Sequence, residues 1–246
     1  MAEPFTFPEP LIEGVIERRR SQFTMQVVVG GESVSCHCPT TNRIGDIDLG
    51  GRPCLLSKAA DPKRKTPYTV EAVSLNRPMD ADKSWIGINQ NAANRYVEHY
   101  LANGGFSEMV GHDAEVRREV FLGESKLDFL VDGCIYLEVK TPLISLQVEV
   151  PEWVRRKKQT PFDSTGRMVR HVGELAASLG ENDRAILLTC FIYDNPGFQV
   201  VHRSEHYEQT KAALDAARAA GVETWQANFE LTPEGVELRK CFPIEV

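Results

Sequence analysis

The chain has 246 residues, 42% of them hydrophobic, and its 28 Lys and Arg against 35 Asp and Glu give a formal net charge of −7. That length accommodates one large domain or two modest ones, and the acidic balance excludes a surface coated with positive charge for nucleic acid. There is no apolar run long enough to span a bilayer, no signal peptide in the acidic, proline-rich start MAEPFTFPEP, and no disulfide framework in six scattered cysteines, so a cytoplasmic protein without membrane contact is expected.

In chain order, residues 11–75 hold short alternating runs separated by Gly-Gly, Asp and Pro turns. The clearest are Thr24 to Val29, Ser33 to His37 and Tyr68 to Val73, a spacing that predicts a small β-barrel. Asn76 to Lys83 (NRPMDADK) is polar and turn-rich and marks a boundary, with a barrel unit over 1–80 and a second unit over 81–246. A helix is predicted from Asn91 to Asn103, closed by Gly104-Gly105. Two strands, Phe129 to Val131 and Ile135 to Val139, flank an Asp132-Gly133 turn. Met168, Val172, Leu175, Ala176 and Leu179 recur at helical spacing over residues 166–179. Residues 184–193 contain the apolar strand AILLTCFIY, and Ser204 is placed to cap an alanine-rich helix ending at Gly221. Strands over 222–231 and 236–244 complete a mixed α/β order.

The segment 119–141, EVFLGESKLDFLVDGCIYLEVKT, carries the chemistry. Asp128 precedes the hairpin and Glu138-Val139-Lys140 ends it, the layout of the PD-(D/E)-x-K nuclease fold. Register decides whether the residues meet. A two-residue turn sets Asp128 opposite Leu137, whereas a three-residue loop with Gly133 left-handed brings Asp128, Glu138 and Lys140 to one face. Adjacent carboxylates raise each other's pKa unless a cation intervenes. Asp128 and Glu138 would therefore hold a hard ion, Mg²⁺ or Mn²⁺ rather than zinc, and Lys140 would stabilise charge developing on a phosphodiester. The same letters also describe an edge hairpin with solvent-facing acids.

Charge is unevenly spread: residues 1–84 carry 11 Lys and Arg against 11 Asp and Glu, leaving 17 against 24 for residues 85–246. Contact with DNA must then be local. Three basic runs qualify: Arg18 to Arg20, Lys63-Arg64-Lys65 in a barrel loop, and Arg155 to Lys158. Each also reads as a solvated loop. Arg167, Arg170, His171 and Glu174 lie opposite the apolar stripe of their helix, as phosphate contacts or simply as its wet face.

From about residue 11 onward the chain resembles the sugar fermentation stimulation protein A (SfsA) family. The stretches that carry the resemblance are His37-Cys38-Pro39, Pro62 to Lys65 with Pro67, Ile88-Asn89 with Asn94-Arg95, Glu119-Val120, Ser125 to Phe129, Tyr136 to Lys140, Arg167, His171 with Glu174-Leu175, and Lys240 with Pro243. The pattern departs at Thr40-Thr41-Asn42, where Asn-Thr-Gly is expected, and at His99, where an acid is expected. The resemblance implies an OB-like β-barrel followed by a PD-(D/E)-x-K nuclease-like domain. It further implies DNA binding without sequence preference and a regulatory tie to sugar (maltose) metabolism, with a working Mg²⁺-dependent nuclease as the alternative. By position it adds Glu119 to Asp128, Glu138 and Lys140, and directs Arg167 and His171 at phosphate. The sequence leaves open DNA against RNA, single against double strands, and an oligomer against a monomer.

Overall fold

The computed structural model describes residues 2–41, 43–111, 114–123, 125–158, 166–180, 184–199 and 206–245, apart from the side chain of Arg167. β1 (Phe5–Thr6), β2 (Ile12–Arg19), β3 (Thr24–Val29), β4 (Glu32–His37), β5 (Pro53–Lys58), β6 (Tyr68–Val73) and β7 (Ile86–Gly87) come first. They are followed by α1 (Gln90–Ala102), α2 (Ser107–Val110), β8 (Val116–Leu122), β9 (Ser125–Val131), β10 (Ile135–Lys140), α3 (Gly166–Ser178), β11 (Arg184–Phe191), α4 (Tyr207–Ala220), β12 (Glu223–Leu231) and β13 (Gly235–Pro243). The expected cap at Ser204 lies outside the described residues; His206 precedes α4 instead, without a side-chain cap.

The first sheet runs β4-β3-β2-β5-β6-β7, and a pairing of His37 with Thr69 joins β4 to β6, closing a five-stranded barrel. Gly30 and Gly31, at φ 59° and 89°, make the two-residue turn between β3 and β4. Inward positions such as Ile16, Met25, Val27, Leu56 and Val70 fill the barrel. Leu143 and Val154, from the chain beyond β10, seal the same core. There the backbone of Arg155 and Lys157 pairs with Asp48 and Asp46 at 2.8 and 2.7 Å, tying the Arg155 to Lys158 run to the barrel.

The second sheet has the order β1-β13-β12-β11-β10-β9-β8, in which β10, β11 and β12 are parallel. β11 is buried on both faces, which is why its sequence is continuously apolar rather than alternating. α1 covers one face, packing Tyr96, Val97, Tyr100 and Leu101 on Phe129, Leu137, Ile186 and Phe229. α3 and α4 cover the other, with Val172, Leu175 and Ala217 against Leu127, Ala185 and Leu187. Sheet membership does not follow the 1–80 and 81–246 division: β1 pairs with β13 in the second sheet, and β7, beyond residue 80, pairs with β6 in the barrel.

Candidate active site: an acid pair between two helices

The register that the site requires is present. Ile135 pairs with Val131, Tyr136 with Leu130 and Leu137 with Phe129, leaving Asp132, Gly133 and Cys134 as a three-residue loop. Both Asp132 (φ 51°) and Gly133 (φ 71°) are left-handed, not Gly133 alone. Asp132 tolerates this because its carboxylate accepts the Glu115 N–H at 2.7 Å while its own N–H donates to Glu115 O at 2.9 Å. The hairpin tip is thereby latched to the start of β8.

Glu138 faces α3 and is 2% exposed. Its Oε1 accepts the Lys140 ammonium and lies 2.5 Å from His171 Nδ1, while Oε2 is fully buried without a hydrogen-bond partner. A buried carboxylate oxygen left unpaired is costly, and water or a cation is the ordinary partner of such an atom. His171 is itself 3% exposed. The family resemblance directs it at phosphate; instead it faces the sheet and holds Glu138, because the acid makes a polar hole in the α3 contact.

Asp128 reaches the same place differently. Leu127 packs with the α3-side cluster and Phe129 with the α1-side cluster, so the simple alternation of β9 breaks around Asp128, and its carboxylate meets the backbone of β10. Its Oδ2 accepts the Val139 N–H at 2.8 Å, where the ladder between β9 and β10 has ended, and its Oδ1 accepts Asn94 Nδ2 of α1 at 2.7 Å. Burial, and then the negative charge of Glu138, push the Asp128 carboxyl up from its ordinary range, against the pull of those two donors and Lys140.

Glu119 is not brought into this cluster. It stands opposite Asp128 in register, but its backbone is left-handed (φ 55°) and its side chain, 65% exposed, accepts from Lys126 at 2.6 Å. That ammonium holds the Glu119 carboxyl below its usual value. The residue that does touch Asp128, Asn94, carries no local sequence signal for the contact.

The expected DNA contacts divide. Lys63 and Lys65 are exposed in the loop between β5 and β6, whereas Arg64 turns back onto Thr66 O, Tyr68 O and Thr69 Oγ1 at 2.7–3.2 Å and shapes the loop. The Arg167 side chain lies outside the described residues.

A hard cation fits what is there. The oxygen donors are carboxylates: Glu138 has one unpartnered oxygen, and the Asp128 carboxyl is pushed up by burial and then by the charge of Glu138. No group of three or more His, Cys, Asp and Glu arranged for a metal occurs among the described residues. Two carboxylates would suffice for a Mg²⁺-type ion if water and substrate phosphate completed its shell.

Two family models cover most of the chain: the SfsA N-terminal OB domain over residues 18–88 and the sugar fermentation stimulation protein RE domain over residues 91–235. The chain belongs to the SfsA family. Sugar fermentation stimulation protein homologues of Maricaulis maris and Pseudoalteromonas atlantica are each 32% identical over 98% of this chain, covering 98% and 99% of their own lengths. A solved structure, Pyrococcus furiosus SfsA in complex with Ca²⁺, matches with a TM-score of 0.75 at 20% identity, over 100% of both chains. The family's OB barrel and mixed second sheet are thus the architecture of this chain. No helix among its described residues is long and apolar enough to cross a membrane.

Proposed function

We propose that this member of the family is a divalent-metal-dependent nuclease that binds DNA through its phosphates without reading sequence. The observation that carries the reading is Glu138: a buried carboxylate with one oxygen on Lys140 and His171 and the other unpartnered, beside an Asp128 whose carboxyl is held by two donors. The Pyrococcus furiosus SfsA structure is a complex with Ca²⁺, which supports a hard cation in this fold.

In this reading Asp128 and Glu138 hold the ion, Mg²⁺ or Mn²⁺. When bound, it supplies polarisation of a phosphoryl oxygen and activation of water. The protein's part is placement. Asn94 and the Val139 N–H fix the Asp128 carboxylate, and His171 fixes Glu138. Lys140 offers the cationic group that stabilises charge growing on the phosphate oxygens. Lys63, Lys65 and Arg167 serve as backbone contacts. Six free cysteines suit the reducing cytoplasm in which the chain is proposed to act.

A second reading, DNA binding in a regulatory role without hydrolysis, draws on the position of Lys140, whose ammonium rests on Glu138 in place of an open phosphate site. Cleavage of end-labelled single- and double-stranded DNA with Mn²⁺ separates the two. A nuclease cuts as wild type and stops cutting as Asp128→Asn or Lys140→Ala. A binding protein retains labelled DNA, with a steep salt dependence, and never cuts.

A further inference from the structure

The acid pair is not held by its own sheet alone. Gln90, the first residue of α1, lies between the barrel and the end of β10. Its Oε1 accepts from Thr40 Oγ1 at 2.9 Å, and its Nε2 donates to Thr141 O at 2.6 Å. Thr141 lies just past the last ladder pair, Lys140 with Thr189, so the Gln90 amide takes over where sheet hydrogen bonding ends. Thr40 is 1% exposed and its carbonyl accepts from the Arg19 guanidinium of β2. It is a fixed point of the barrel.

The neighbouring residue repeats the link. Asn89 caps α1 through Oδ1, which accepts the Ala92 N–H at 3.2 Å, and donates from Nδ2 to Glu71 Oε2 on β6 at 2.7 Å. Ser57 of β5 donates to the other Glu71 oxygen at 2.6 Å. One turn further along, Asn94 reaches Asp128. β9 and the residue that follows β10 therefore each receive a bond from the first five residues of α1, and that helix end is anchored in the barrel.

We infer that Gln90 is a positioning residue of the acid site, through which Thr40 of the barrel sets the backbone that bears Lys140. The inference rests on the nuclease reading above. Displacements of an ångström at a reacting group cost up to about a hundredfold in rate. Loss of the Gln90 bond to Thr141 should thus lower kcat while leaving the metal ligands in place.

The test measures Mn²⁺-dependent DNA cleavage, Mn²⁺ affinity and Tm in the full chain. Gln90→Glu keeps the acceptor for Thr40 and removes the donor to Thr141, and an acid in the first helical turn does not weaken the helix. Gln90→Glu and Gln90→Ala should each lower kcat about tenfold or more, with KM and Mn²⁺ affinity within about threefold of wild type and Tm maintained. Thr40→Val should reproduce the loss and Thr40→Ser, which retains the hydroxyl, should restore the rate. Unchanged kcat in Gln90→Glu and Thr40→Val would overturn the inference alone, as would losses that track Tm. A wild type that binds Mn²⁺ and never cuts overturns the nuclease reading, and this inference with it.

Discussion

His171 Nδ1 lies 2.5 Å from Glu138 Oε1, and neither side chain is more than 4% exposed. An imidazole from α3 and a carboxylate from β10 thus meet inside the layer between helix and sheet, in a place that packing alone would fill with apolar groups. Burying that pair is costly unless its hydrogen bonds are completed, and Oε2 of Glu138 leaves one incomplete. In the proposed reading a bound cation would complete it, and this gives the first expectation. Saturating Mn²⁺ should raise the Tm of the wild type; at a hundredfold excess over Kd the stabilisation is about 2.7 kcal/mol, or roughly 5–10 °C for a chain of this size. Asp128→Asn/Glu138→Gln should show no such rise by scanning calorimetry.

Glu119 supplies a contrast within the same hairpin. Its carboxylate is exposed and turned to Lys126, so Glu119→Gln should keep cleavage within about threefold of wild type, the scale of a change outside the reacting groups. Asp128→Asn should lose it by about a hundredfold or more. Equal losses in single-turnover assays would place Glu119 in the reaction after all.

The hairpin loop sets the register and tolerates little. Gly133 is at φ 71° with no atom near the position of an added Cβ, so Gly133→Ala meets only backbone strain, about 1–2 kcal/mol. Asp132→Asn should cost less than Asp132→Ala, because Asn also adopts the left-handed region and can still accept the Glu115 N–H. Urea unfolding of the three variants checks the order.

Stability should also carry the signature of Glu223. Hydrogen bonds from Arg184 at 2.6 and 2.7 Å hold its carboxyl below the usual range, with burial opposing and Trp225 assisting. A depressed carboxyl stabilises the fold above its unfolded pKa of about 4.3, and the contribution fades as pH falls from there through the lower folded value. Since the pair is one-third exposed, solvent screening leaves about 1 kcal/mol. Glu223→Gln should be less stable than wild type by that amount at pH 7, and the gap should close in acid; a gap that widens in acid contradicts the sign.

The sequence shows the hairpin well because every signal there is local: β-rich runs, an Asp-Gly tip and alternation that fixes which way Glu138 and Lys140 point. Three of the barrel strands (β3, β4 and β6), α1, α3 and the apolar β11 are legible for the same reason. What escapes is long-range. Asn94 and Asp128 are 34 positions apart and their hydrogen bond has no periodicity to betray it. β1 is two residues long and pairs with β13, some 230 residues on. His171 reads as the wet face of an amphipathic helix, since helical spacing cannot reveal that the sheet beneath presents an acid. Glu119 shows the converse: the right letter in the right order, removed from the cluster by its own left-handed backbone.

Isothermal titration of Mn²⁺ into the wild-type chain and into Glu138→Gln reads the central claim without assuming a substrate. One ion bound per wild-type chain, with affinity lowered about a hundredfold or more in the variant, is expected when a direct carboxylate ligand is lost. Absence of binding to the wild type, or equal binding to both proteins, would contradict a metal site at Asp128 and Glu138.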